Sequence, residues 1–154
     1  MSKTNHEHNH PEHEKFQLSQ KVVLYDPKEK KFLLVRDGRP ETSYYKKYGP
    51  WDLPGGRVQV DEDPVEGLER ELQEEIGDIA YELKEVVSGC LMEIEHKGTV
   101  TKRTVLFTLG MYSGGEIQLS EEHDQFEWKS AQEIEKDSEY KPWLKTAVQS
   151  ALKH

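Results

Sequence analysis

Apolar and polar positions repeat with a changing period along this chain, and each change of period marks an element. Order is expected from Phe16 onward, where "KVVLYD" (21–26) and "KFLLVRD" (31–37) are apolar, β-branched runs. The intervening "PKEK" turns one run back on the other, so the pair reads as a β-hairpin. "GRPETSYYKKYGP" (38–50) has the prolines, glycines and aromatics of a surface loop. "WDLPGG" (51–56) is a short extended piece closed by a Gly-Gly turn. After a helical stretch come two long strand-like runs, 81–96 and 99–113, joined at a "KG" turn, and a further strand is expected near 126–129. Ser130 with Glu133 three residues on signals a short capped helix. A final helix is expected over 141–153, with Pro142 in its first turn and Trp143, Leu144, Ala147, Val148 and Ala151 as its buried stripe. This order of elements predicts an α/β (α+β) sandwich, with helices on both faces of a mixed sheet.

The helix after the Gly-Gly turn is the anomaly. Asp63 suits an N-cap, Pro64 a first helical residue and Gly77 a stop. At about 100° per residue, Val65, Leu68, Leu72 and Ile76 share one arc, the expected core face. Yet residues 61–78 hold nine carboxylates and a single base, Arg70. Like charges three and four apart on a helix repel. Glu71, Glu74 and Glu75 stand at that spacing on a separate arc, with Gly67 one turn earlier. A glycine inside a helix costs about 1 kcal/mol relative to alanine, which a close approach by backbone or ligand would explain. Arg70 flanks the cluster and is able to hold one carboxylate by a forked contact. A merely solvated acidic face is the plain alternative. Against it stand the absence of lysine partners at helical spacing, the compactness of the cluster and the Gly-Gly turn that leads into it. Oxygen donors without His or Cys select a hard cation, Mg²⁺ or in its place Mn²⁺.

Charge and composition narrow the function. The chain has 154 residues, enough for one domain with a real core, and 33% of them are charged. A net charge of -9 offers no basic stripe, which argues against general nucleic-acid or membrane-surface binding. The one cysteine, Cys90, excludes an internal disulfide and suits a reducing compartment. No membrane-length apolar run or signal-peptide pattern is visible, so a cytoplasmic location is expected. The first fifteen residues, with His6, His8, His10 and His13, form a biased tail. It is expected to be disordered, with loose metal affinity as the other reading; the domain is expected over 16–154.

Gly56, then Glu62, then "RELQEEIG" from Arg70 to Gly77 resembles the box of the Nudix hydrolases at every fixed position. The one departure is Asp78, where the family prefers an aliphatic residue, and Ile79 follows it. The resemblance extends over about 21–153 and implies the Nudix fold, an α/β/α sandwich around a mixed sheet. It also implies hydrolysis of a nucleoside diphosphate linked to a group X, and dimers are common among similar proteins. Glu71, Glu74 and Glu75 match the metal-ligating glutamates, and the Gly56 carbonyl matches the backbone ligand. Glu62 matches a supporting carboxylate, and Arg70 the arginine that orients a box glutamate. A further catalytic or metal-binding glutamate from outside the box has Glu122 as its candidate, with Glu121, Asp124 and Glu127 as rivals and a solvated acidic turn as the alternative.

Selectivity must come from outside the box. Tyr44, Tyr45, Tyr48 and Trp51 precede the Gly-Gly turn, where an exposed ring would stack on a nucleobase. For Trp51 packing in the core is the favoured reading, while Tyr44, Tyr45 and Tyr48 stay open between a stacking role and the cap of a loop. Arg36, Arg39, Lys46 and Lys47 are candidates to meet phosphates. Ile94 stands where the family's ADP-ribose hydrolases carry a marker proline, and the tyrosine of dinucleoside-polyphosphate hydrolases is missing there too. A MutT-like nucleoside triphosphate pyrophosphohydrolase leads by elimination. A sugar-nucleotide or dinucleoside-polyphosphate hydrolase remains an alternative, as does a Nudix-fold binding module without turnover.

Overall fold

The computed structural model describes residues 16–154; the tail expected over 1–15 lies outside the described residues. Strands β1 (Gln17–Asp26) and β2 (Lys31–Asp37) form the expected hairpin, closed where the Lys30 N–H donates to the Asp26 carbonyl at 2.7 Å. Past that turn the two strands diverge, and "WDLPGG" fills the gap between them. Its first residues, β3 (Trp51–Asp52), pair with β2, and its last, β4 (Gly55–Arg57), pair with β1. On its other edge β1 runs parallel to β6 (Thr99–Gly114), from Gln17 opposite Arg103 to Tyr25 opposite Met111. β5 (Ala80–His96) lies antiparallel outside β6, and β7 (His123–Lys129) pairs with β2. One seven-stranded mixed sheet results.

Four helices complete the described chain: α1 (Ser43–Tyr48), α2 (Pro64–Ile76), α3 (Ala131–Lys136) and α4 (Pro142–Ala151). Alternation along the strands sends neighbouring residues to opposite faces. Val22, Leu24, Leu33 and Val35 meet Leu68, Leu72 and Ile76 of α2. Val23, Phe32, Leu34 and Phe107 meet Leu144, Ala147 and Val148 of α4 on the other face. The architecture is therefore the expected α/β/α sandwich, with the acidic helix covering one face. Among the described residues no helix is long and apolar enough to cross a membrane.

Four local expectations need correction. The 38–50 segment is not all loop, because Thr42 caps α1 by accepting the Tyr45 N–H at 3.2 Å. A helix of six residues is too short for its hydrophobic period to register in the sequence. Val65 has the angle of a core residue but is 56% exposed, and the apolar contacts of α2 begin one turn later at Leu68. Trp143 is only half-buried in the α4 stripe. β7 begins at His123 rather than Phe126, because its polar first residues owe their extended state to pairing with β2, which takes up a register irregularity at Arg36 and Asp37.

Candidate active site

The acidic helix is held at both ends. Asp63 Oδ2 accepts from the Val65 and Glu66 N–H groups at 3.1 and 3.2 Å, and the Gln20 side-chain amide donates to the Pro64 carbonyl at 2.7 Å. Gly77, at φ 91°, ends it. About 100° of rotation per residue then separates the three clustered glutamates. Glu75 borders the core stripe and its side chain is 10% exposed, Glu71 comes next at 19%, and Glu74 lies farthest round at 59%. β4 presents Gly56 to this face. A Cβ added there would stand 2.5 Å from the Glu71 carboxyl carbon, so only glycine lets that carboxylate lie against the backbone. The Gly55 N–H donates to Glu75 Oε1 at 3.4 Å.

Arg70 organises the outer carboxylates. Its Nε and Nη2 fork onto Glu62 at 2.7 and 3.2 Å, Nη1 reaches both oxygens of Glu74, and Nη2 stands 3.2 Å from Glu71 Oε1. The Arg70 hydrogen bonds, with help from the Gln59 N–H, hold the Glu62 carboxyl below the usual carboxylate range. The close approach at Gly67 is made by this same Glu62: a Cβ on Gly67 would lie 2.6 Å from Glu62 Oε1. Gly67→Ala is therefore expected to push the end of the Glu62 side chain off Arg70, a loss that offsets the roughly 1 kcal/mol that alanine normally brings to a helix interior, so that stability measured by urea denaturation does not rise. A variant that gains that stability would show that the Glu62 contact carries no constraint.

Glu71, Glu75, Gly56 and Glu122 come together in a cleft of about 420 Å³, whose walls also carry Arg39, Arg57 and Arg103. Loss of solvation drives the Glu75 carboxyl up to about 9; the Lys21 ammonium opposes the shift and Asp52 adds to it. Such a carboxyl is short of positive charge. Among the described residues no three carboxylate, imidazole or thiol groups close around one point as they stand. The donor set nevertheless fits a divalent cation, since two carboxylates flank a backbone stripped of its side chain and every donor is oxygen.

The other candidates are dispersed. Glu74 is engaged by Arg70 outside the cleft, and Glu62 sits beneath Arg70. Glu122 faces the cleft across from the helix, 3.6 Å from Arg39. Arg36 turns to Asp124 at 2.9 Å, away from the cleft. Trp51 is a core residue, 4% exposed and edge-on to Tyr140, with its N–H given to Glu139, so it is not a stacking platform. Tyr48 spends its hydroxyl on the Glu93 backbone, as donor and as acceptor, and Lys46 and Lys47 line a separate groove. Of the tyrosines expected to meet a base, only Tyr44 reaches the cleft.

Several cleft residues were not singled out in the sequence. Lys21 and Asp52 form an ion pair at 2.8 Å with side chains about a tenth exposed. Burial works against the Lys21 charge, but the Asp52 carboxylate prevails and the ammonium is stabilised. His123 is nearly buried 3.8 Å from Glu75, and desolvation lowers its imidazole below the usual range. Asp37 grips Arg39 with both oxygens at 3.0 and 3.1 Å. The one signal in the sequence was Lys21, a charge set directly before the apolar run 22–25.

Residues 15–149 match the family model described as NUDIX domain. Among solved structures, the chain is similar to a MutT protein from Methanosarcina mazei Go1 (24% identity, 92% of this chain and 96% of that one, TM-score 0.74). It is also similar to a C. elegans Ap4A hydrolase (22%, 87% and 93%, 0.66) and to the E. coli dihydroneopterin triphosphate pyrophosphohydrolase (18%, 92% and 100%, 0.67). At these identities the structural likeness speaks for the fold. The family match covers most of the chain, which therefore belongs to the NUDIX family as a Nudix hydrolase, a family that cleaves pyrophosphate bonds in nucleotide derivatives.

Proposed function

We propose that the protein is a Mg²⁺-dependent pyrophosphohydrolase of nucleoside triphosphates, releasing a nucleoside monophosphate and pyrophosphate. The observation that supports this reading best is the meeting of Glu71, Glu75 and Gly56 with three arginines in one cleft of nucleotide size. Nudix hydrolases generally use divalent cations. A cation bound here would neutralise charge on the phosphates and make a water a stronger nucleophile.

Around that centre each residue has a distinct task. Glu71, Glu75 and the Gly56 carbonyl would hold the cation, and Glu74, held on Arg70, would add negative charge beside them. Arg70 fixes the outer carboxylates so that the ligands need not reorganise. Arg39, Arg57 and Arg103 meet phosphate oxygens, where forked guanidinium contacts are strongest. Glu122, exposed at the cleft and tied only loosely to Arg39, accepts the proton of the attacking water.

A second reading, a substrate with an organic group at both ends, is favoured by one observation. A second organic end needs a second groove on the order of a few hundred Å³, and a groove of about 700 Å³ lined by Phe16, Leu18, Val58 and Val60 shares Arg57 and Glu71 with the cleft. A panel of nucleoside triphosphates, sugar nucleotides, dinucleoside polyphosphates and ADP-ribose, assayed with Mg²⁺ and with EDTA, tests both. Mg²⁺-dependent release of pyrophosphate from triphosphates is the expected result. Turnover of dinucleoside polyphosphates alone would select the second reading, and no turnover of any compound would leave a binding module.

A further inference from the structure

His123 stands in the cleft wall beside Glu75, and the roles of the cation ligands and arginines leave it without a task. It is the first residue of β7, opposite Asp37, and its side chain is only 6% exposed. Burying an imidazole costs free energy that an apolar ring of the same shape would not, so packing alone does not account for it. Both ring nitrogens face polar groups: Nδ1 is 3.5 Å from Ser120 Oγ, and Nε2 is 3.8 Å from Glu75 Oε1. The Ser120 N–H in turn donates to the Glu75 carbonyl at 3.1 Å, and the His123 N–H donates to the Ser120 carbonyl at 3.2 Å. These contacts close a ring. It runs from the Glu75 backbone to Ser120, from Ser120 to the imidazole, and from the imidazole back to the Glu75 carboxylate.

The ring acts on one oxygen of Glu75. Oε1 has the Gly55 N–H at 3.4 Å and His123 Nε2 at 3.8 Å, whereas Oε2 has no hydrogen-bond partner among the described residues. Two contacts to the same oxygen constrain the plane of the carboxylate, and Oε2 is left open to a cation in the cleft that Glu75 lines. Desolvation favours the neutral imidazole, which has one donor and one acceptor. An ionised carboxylate only accepts, so the proton belongs on Nε2, and Nδ1 accepts from the Ser120 hydroxyl. At 3.8 Å the Nε2 contact is longer than a hydrogen bond, and a small rotation of either side chain closes it.

We propose that His123, steadied by Ser120, is a positioning residue that orients the Glu75 carboxylate to take a divalent cation through Oε2. This rests on the cation reading of the cleft, but not on turnover. The full chain is titrated with Mn²⁺ by electron paramagnetic resonance, without substrate, and unfolded in urea as wild type, His123→Phe, His123→Gln and Ser120→Ala. His123→Phe keeps a buried ring but loses the donor, and is expected to weaken Mn²⁺ binding about 10- to 100-fold, the scale of lost outer-shell partners. His123→Gln brings an amide N–H to the reach of Nε2 and is expected to stay within about threefold of wild type. Ser120→Ala keeps the imidazole but frees it. It is expected to lose about threefold or more in affinity with an unchanged urea midpoint, which keeps the test decisive where His123→Phe folds poorly. In steady state the kcat defect of His123→Phe is expected to shrink as Mg²⁺ is raised, which damage to the fold would not do. Unchanged Mn²⁺ affinity in Ser120→Ala or in folded His123→Phe, or a His123→Gln as weak as His123→Phe, would overturn the positioning role. Weakened Mn²⁺ binding in both variants, with no nucleotide turned over by wild type, would sustain the role and overturn the hydrolase reading. Absence of Mn²⁺ binding by wild type would overturn the cation reading and the positioning role together.

Discussion

Glu75→Gln is expected to lower kcat/KM for the best nucleotide substrate about 10³-fold, equivalent to roughly 4 kcal/mol of transition-state stabilisation, while the fold survives. The side chain is nearly buried at the edge of the α2 core stripe, and burial pushes its carboxyl toward the neutral state. An amide of the same shape keeps that neutral state and still accepts the Gly55 N–H, so thermal unfolding should change little. What the amide lacks is the negative charge a cation needs, which leaves Glu71 as the one charged ligand beside the Gly56 carbonyl. Steady-state kinetics beside a circular-dichroism melt checks both halves. A variant with activity within about threefold of wild type would remove Glu75 from the chemistry.

Adjacent glycines in the turn should fail in opposite ways. Gly56→Ala is expected to cost about 10² in kcat, the scale of an ångström's misplacement of a reacting group, with little loss of stability. Its new Cβ would meet only the end of the Glu71 side chain, at 2.5 to 2.8 Å, and that flexible end is able to swing away. The swing takes a carboxylate off the backbone it lies against. Gly55→Ala would place a Cβ 2.0 Å from the Gln20 carbonyl and 2.7 Å from Lys21 Cα, at φ +153°. Neither backbone atom has room to give, so that variant is expected to lose more than about 3 kcal/mol of stability. Urea denaturation and activity at saturating substrate, measured on both variants, separate the two behaviours. Equal destabilisation would mean that Gly56 serves the turn and not the site.

How far the sequence reveals this molecule depends on whether a feature is local. The bounds of the acidic helix were legible, from its Asp63 cap to Gly77, because caps and period act within a few residues. Its three glutamates were legible as a cluster but not as a gradient. Glu75 is buried and Glu74 exposed because of the surface beneath the helix, which the sequence does not display. Trp51 was read toward the core and lies there, although a stacking role was also carried for it because the sequence does not display the surface that α4 covers. The Lys21–Asp52 pair lay furthest from view. β1 and β3 do not pair with each other, and the two side chains meet only because both strands flank the divergence of the first hairpin. Arg103 reaches the cleft from β6 through the parallel register with β1, which no local pattern encodes.

Cation binding by Glu71 and Glu75 is tested without any substrate by a Mn²⁺ titration followed by electron paramagnetic resonance. Wild-type protein is expected to bind Mn²⁺ at the cleft, with Mg²⁺ competing for it. The Glu71→Gln, Glu75→Gln double variant, folded by circular dichroism, is expected to lose at least about 10²-fold in affinity, as removal of groups that support a metal site does. Mn²⁺ binding of equal strength in the double variant would contradict the assignment of these carboxylates as cation ligands.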